Sequence, residues 1–258
     1  MKILTIGDIC GRVGRDCTFS VLDRMADSVD FIIANAENAA HGRGLSKPVY
    51  EELKQSGIDA FTTGNHVWGC PDIEKVMRYN DDVIRPANFE GDIPGAGSTV
   101  IKAKNGVRVG IINLIGRTYM QGPISSPFLT ADSEIEKLKE KADVILVDFH
   151  AEATSEKMAL GYYLDGRVSA VFGTHTHIQT ADCKVLPKGT GYITDLGMTG
   201  PEHSVLGLDK NTIIKRFVNG MPQKFTVANG KGQFCGAVFD IDEKTGKTVS
   251  VERIYKEI

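Results

Sequence analysis

The sequence predicts a mixed α/β fold built around parallel strands. Three observations carry this. Apolar runs of strand length alternate with amphipathic stretches of helical length over most of the chain. Those apolar runs end, one after another, in polar residues: "GD", "AEN", "GNH", "DFH" and "GTHTH". The last thirty-odd residues change rhythm and carry the turn signals "NGKG" and "EKTGK".

In order, "KILTIGD" reads as a buried strand ending at Asp8. "GRDCTFSVLDRMA" follows a Gly-rich turn and reads as a helix. "DFIIANAEN" is a second strand. "SKPVYEELKQSG" is a helix with Ser46 as its N-cap and Gly57 as its stop. "DAFTTGNH" is a third strand, and residues 71–78 look helical. The Gly- and Pro-rich stretch 91–97 is a loop. "RVGIINLIG", "DVILVDFH" and "RVSAVFGTHTH" are further strands, and "ADSEIEKLKEKA" is a polar amphipathic helix with a solvated charged face. Residues 223–257 read as an antiparallel meander. No repeat, linker or low-complexity tract divides the chain, so residues 1–258 are expected to form one domain.

Composition excludes several classes. With 41% hydrophobic and 24% charged residues, the chain can bury a core of ordinary size. A net charge of -3 gives no electrostatic footprint for nucleic acid or an anionic membrane. No apolar stretch approaches the roughly 20 residues of a membrane-spanning helix. The opening "MKILTIGDICG" has too short an apolar run for a secretory signal. The five cysteines, at 10, 17, 70, 183 and 235, form neither a C-x-x-C pair nor a disulfide framework. They read as reduced thiols, and the protein is expected in the cytoplasm.

The chemistry gathers at the strand ends. Asp8, Glu37, Asn38, Asn65, His66, His150, His175 and His177 all follow apolar runs. In open α/β sheets, sites collect outside the carboxyl ends of parallel strands, so these eight residues are delivered to one edge. Carboxylates, imidazoles and amide oxygens together suit divalent transition metals. A carboxylate such as Glu37 can bridge two ions, and ions roughly 3.5–4 Å apart form a clamp for in-line displacement at phosphorus. They also bring a bridging water to a pKa of about 7. His66 can protonate the leaving oxygen or stabilise charge at phosphorus.

The ordered series "GD…EN…GNH…FH…GTHTH" resembles the calcineurin-like metallophosphoesterases. "NAENAAHGRGL", "RPANF", "DFHAEATSEK" and "YITDLGMTGP" place the resemblance in the YmdB-like branch, over nearly the whole chain. The resemblance implies a four-layer α/β/β/α sandwich of two mixed β-sheets flanked by helices. It implies one metal held by Asp8, Glu37, Asn38 and His177. A second would be held by Glu37 as bridge, Asn65, His150 and His175, with His66 as the catalytic histidine. His175 and His177 would then reach different metals from an extended backbone. The superfamily's Asp-x-His is here Asp8-Ile9-Cys10, and Glu37 replaces its usual aspartate. Cys10 is read as a buried thiol and Asn38 as the substitute ligand. That oxygen-rich first site makes iron or manganese as credible as zinc.

The implied function is a bacterial phosphodiesterase acting through a metal-bridging hydroxide. Its substrates would be phosphate diesters, with 2′,3′- or 3′,5′-cyclic nucleotides foremost. A phosphomonoesterase or nucleotidase on the same site is one alternative. A metal- or nucleotide-binding regulator is another, and an intact His66 argues against it. No basic, aromatic-interleaved patch supports an RNA partner, no membrane partner is expected, and self-association through the loops at 91–97 or 197–207 stays open. Asp195 is a candidate carboxylate for orienting a ligand imidazole. Arg43 and Arg117 are candidate phosphate contacts, Trp68 a candidate pocket wall, His41 a candidate substrate contact, and His203 a surface residue.

Overall fold

Alternation along the strands decides the architecture. In the computed structural model, which describes residues 1–258, the chain forms β1 (Lys2–Ile6), β2 (Asp8–Ile9), α1 (Gly11–Met25), β3 (Phe31–Asn35), α2 (Lys47–Gln55), β4 (Ala60–Thr62) and α3 (Ile73–Tyr79). There follow β5 (Ser98–Lys102), β6 (Arg108–Ile115), α4 (Pro127–Leu138), β7 (Val144–His150), α5 (Thr154–Leu164) and β8 (Ala170–Thr174). The chain ends with β9 (Lys184–Val185), β10 (Gly191–Ile193), β11 (Met198–Pro201), α6 (Lys210–Asn219), β12 (Gly232–Asp242) and β13 (Lys247–Glu257).

Two mixed sheets result. One runs β2-β11-β12-β1-β3-β4, with β13 paired to β12. The other runs β5-β6-β7-β8-β10-β9. Side chains alternate across a strand, so each sheet has two apolar faces to cover. Leu4, Ile6, Ile32 and Ala34 face outward onto Val21 and Leu22 of α1, Leu53 of α2 and Val76 of α3. Ile3, Phe31 and Ile33 face inward and meet Ile111, Leu146 and Phe172 of the other sheet. That sheet turns Ile145, Val147 and Phe149 outward onto α4 and α5. Three apolar layers between four structural layers make an α/β/β/α sandwich, as expected.

The inward alternation continues past the apolar residues. Two positions beyond Ile33, Ile111, Leu146 and Phe172 come Asn35, Asn113, Asp148 and Thr174, all buried. The strand pairs β1–β3, β3–β4, β6–β7 and β7–β8 are parallel, so these polar ends stack at one edge between the sheets. Asp148 collects them: Thr174 Oγ1 donates to it at 2.8 Å, Asn35 Nδ2 at 3.2 Å, and Thr62 Oγ1 also donates. Burial is the main force lifting the Asp148 carboxyl to about 6.

Several expectations are corrected. Ser46 holds the N-cap position of α2 without a side-chain cap; Asp72 accepts from Lys47 N at 2.8 Å instead. α4 begins at Pro127, before the charged run expected to form it, because Ser126 caps Leu129 N and Pro127 presets the first turn. Helices α5 and α6 were not anticipated from the pattern. The C-terminal meander is a two-stranded hairpin, β12–β13; residues 223–229 contribute only one bridge, Leu208 with Val227. β12 also pairs antiparallel with β1, so the hairpin enters the middle of its sheet.

Candidate metal centre

The edge above Asp148 is where the predicted residues meet. Asp8 opens β2, two residues past the end of β1, with its carboxylate buried. Glu37 lies two residues past β3, and its N–H donates to Asn35 Oδ1 at 3.2 Å. Asn65 and His66 follow β4, His150 is the last residue of β7, and His175 comes directly after β8.

The atoms converge on one point. His150 Nε2 lies 3.0 Å from Glu37 Oε1, 2.9 Å from Asn65 Oδ1 and 3.0 Å from His175 Nδ1. A single ring nitrogen can offer one proton, and three acceptors compete for it. Donor atoms of Glu37, His150 and His175 all lie within 4.8 Å of one another, which suits a cation. On the other side of the ring, His150 Nδ1 lies 2.9 Å from Thr174 Oγ1. Since Thr174 donates to Asp148, its oxygen accepts from Nδ1–H. That fixes the tautomer with Nε2 turned to the site.

A second group sits beside the first. Asp8 Oδ1 is buried without a hydrogen-bond partner, 3.9 Å from His177 Nε2 and 3.9 Å from His150 Nδ1. Asn38 Oδ1 is likewise buried and unpartnered, while its amide donates to Gly42 O at 3.0 Å. Buried polar atoms without partners are costly, and a cation between Asp8, Asn38 and His177 would satisfy both. The Glu37, His150 and His175 donors therefore fit a cation, and the free Asp8 and Asn38 oxygens are suited to ligate one.

Electrostatics agree. Burial works against charge on His150, but Glu37 and Asp8 outweigh it and raise the imidazole to about 9. Burial would raise Glu37, yet His150 and His66 hold it down to about 2. His175 falls to about 3 through burial and the neighbouring His150. Asp8 is raised, by burial first, against the pull of His177 and His150. Cys10 is pushed up to about 12 by burial and Asp8, which favours the neutral thiol.

His66 donates its backbone N–H to Glu37 Oε2 at 2.8 Å, and its ring Nδ1 is buried and unpartnered. Burial lowers its pKa despite the nearby Glu37. Arg43 adds positive charge at His66, and Gly44 and Gly69 of the two loops touch closely. Trp68, 42% exposed, belongs to the surface beside His66 and not to the core.

His175 and His177 do not share an extended backbone. Their φ values are 98° and 64°, and the rings diverge: His175 reaches His150 and Glu152, while His177 Nδ1 lies 3.1 Å from Leu206 O. Asp195 holds this turn. It accepts from Thr176 N at 3.1 Å, Thr176 Oγ1 at 2.7 Å and Gly197 N at 2.8 Å, and it touches no imidazole. Lys157 on α5 neutralises it at 2.5 Å. Sequence reasoning missed Lys157, Thr174 and Asp148; the inward alternation ending at Asp148 was the available signal for the last.

The fold is that of the phosphoesterase class, and the donor set at its edge suits metal binding. The chain belongs to the YmdB-like family, whose description, YmdB-like protein, matches residues 4–254. It is 52% identical to the 2′,3′-cyclic-nucleotide 2′-phosphodiesterase of Bacillus subtilis (strain 168), over 98% of this chain and 96% of that one. Among solved structures it resembles a hypothetical protein from Thermus thermophilus, with TM-score 0.93, 40% identity, and 100% and 99% of the two chains covered. A phosphatase from Mycoplasma pneumoniae superposes with TM-score 0.92 at 37% identity, covering 100% and 93%.

Proposed function

We propose that this protein is a metal-dependent phosphodiesterase that opens 2′,3′-cyclic nucleotides. The observation that carries the reading is the convergence of Glu37, Asn65 and His175 on His150 Nε2, beside the unpartnered oxygens of Asp8 and Asn38. The name of the Bacillus subtilis relative supports the substrate class.

Asp8, Glu37, Asn38 and His177 would hold one ion, and Glu37, Asn65, His150 and His175 the other. Iron or manganese suits the oxygen-rich first set, with zinc as the alternative. When bound, such ions neutralise charge at the phosphoryl group and acidify the attacking water. The protein's own part is orientation and proton handling. Thr174 and Asp148 aim His150. Asp195 fixes the turn that spreads His175 and His177. His66, anchored through its N–H to Glu37, presents its ring to the departing ribose oxygen and protonates it. Arg43 beside it adds positive charge for the substrate phosphate.

The test is turnover of 2′,3′-cyclic AMP, 3′,5′-cyclic AMP and bis-p-nitrophenyl phosphate by protein stripped and reloaded with manganese, iron or zinc. Wild type should cleave the 2′,3′ ring and bis-p-nitrophenyl phosphate only when loaded. His66→Ala should lose about 10²–10⁴-fold in kcat with its metal content intact. Wild type that binds about two ions per chain and cleaves no diester would sink the reading.

A further inference from the structure

The β11–β12 connection, residues 202–231, rises on the edge that carries the metal centre. β11 runs parallel to β2, with Met198 opposite Asp8, so the chain leaves at Asp8's end. β12 runs antiparallel to β1, with Gly236 opposite Ile6, so the chain re-enters from the same end. The excursion folds back on itself: Ala228 N donates to Gly207 O and Asp209 N to Thr226 O, both at 2.9 Å. One limb reaches the site, since Leu206 O lies 3.1 Å from His177 Nδ1.

The other limb packs on the loops that carry Asp8 and Asn38. Val227 sits against Gly11 and Gly42, where an added Cβ would come within 3.0 and 2.5 Å of its methyl groups. Gly11 is three residues past Asp8, and His41 is three past Asn38. Beside Val227 these segments line a half-open cavity of about 360 Å³, bordered among others by Arg12, His41, Phe225 and Asn229. That volume is within the range of small-molecule sites, about 300–1,000 Å³.

The lining has a chemical character. Phe225 is 40% exposed and carries the Arg216 guanidinium 4.9 Å from its ring centroid. Arg12 has no carboxylate partner, whereas Arg15, one turn on, is paired with Glu52 at 2.9 Å. His41 is held at φ 56°, a left-handed conformation unusual for a residue with a side chain; such strain clusters at ligand sites. An aromatic face, a free guanidinium, an imidazole and an amide suit a heteroaromatic base, which offers a π-face and hydrogen-bonding edges.

We propose that this cavity is the nucleoside subsite, binding the base of the nucleotide whose phosphate lies at the metal centre. This rests on the phosphodiesterase reading and adds to it a base-contacting wall: Phe225, Arg12 and His41. Trp68, exposed next to the close contact of Gly69 with Gly44, is the rival wall.

Metal-loaded wild type, Phe225→Ala, Arg12→Ala and Trp68→Ala are compared on 2′,3′-cyclic AMP and on bis-p-nitrophenyl phosphate, which has no nucleoside. Phe225→Ala should raise KM for the cyclic nucleotide roughly tenfold, the loss of one base–aromatic stack. Its kcat, and its kcat/KM for bis-p-nitrophenyl phosphate, should stay at the wild-type value. Arg12→Ala, at an exposed position, should shift KM in the same direction and guards against a folding defect in the first variant. Unchanged KM in both overturns the proposal, as does a KM rise confined to Trp68→Ala or an equal loss on both substrates. If wild type cleaves no diester, the phosphodiesterase reading has failed by itself. The subsite is then judged by calorimetric binding of 3′-AMP: weakening in Phe225→Ala supports it, and equal binding overturns it.

Discussion

His150 Nε2 lies 3.0 Å from Glu37 Oε1, with both side chains buried. In the metal-free protein this is an ion pair. Glu37, held at about 2, stays ionised, and His150 keeps its proton up to about 9. A cation can take Nε2 only when that proton leaves. Apparent metal affinity should therefore climb with pH and level off above about 9, with proton release at pH 7. The folded pKa of His150 is raised, so its stabilising contribution is complete below its ordinary value near 6.5 and fades as pH rises through about 9. The metal-free protein should lose melting temperature across that window, and the loaded protein should not. Calorimetry in buffers of different ionisation enthalpy reads the protons; no release at pH 7 would contradict the assignment of His150 as a ligand.

Thr174 links His150 to Asp148, accepting from one at 2.9 Å and donating to the other at 2.8 Å. Thr174→Val keeps the branched shape and removes both bonds. The imidazole then loses what sets its tautomer and ring angle. Metal affinity should fall about 10–100-fold, measured by competition with a chromophoric chelator. An unchanged affinity would show that packing alone orients His150.

The strand ends were legible because parallel strands reveal their site as polar residues closing apolar runs. Glu37, Asn65, His150 and His175 needed nothing more to be placed at one edge. The paired histidines were legible as ligands but not in their geometry. An extended backbone was expected, and the carboxylate that bends it, Asp195, is 19 residues from Thr176. Lys157 could not be read at all: a lysine on a helix looks solvated until the fold buries it. α6 was hidden for the opposite reason. Its face of Ile214, Phe217 and Val218 is exposed, so its periodicity reports no core. Residues 223–229 looked like a strand because Phe225 and Val227 alternate with polar residues before a turn signal, yet Val227 packs on glycines of other loops.

Lys157 and Asp195 form an ion pair at 2.5 Å, with both side chains buried. Lys157 Nζ also donates to Thr174 O at 2.8 Å. The pair thus ties α5 to the end of β8 and to the turn that carries His175 and His177. Removing the cation leaves the Asp195 carboxylate buried and uncompensated. Lys157→Met should cost about 3–5 kcal/mol, which for a chain of this size is a drop in melting temperature of roughly 6–20 °C. Adding Asp195→Asn removes the stranded charge while keeping an oxygen for Thr176 N, so the double variant should melt above the single one. A double variant no more stable than Lys157→Met would mean that the two residues act separately. The turn would then owe its shape to its own backbone and not to the ion pair beneath it.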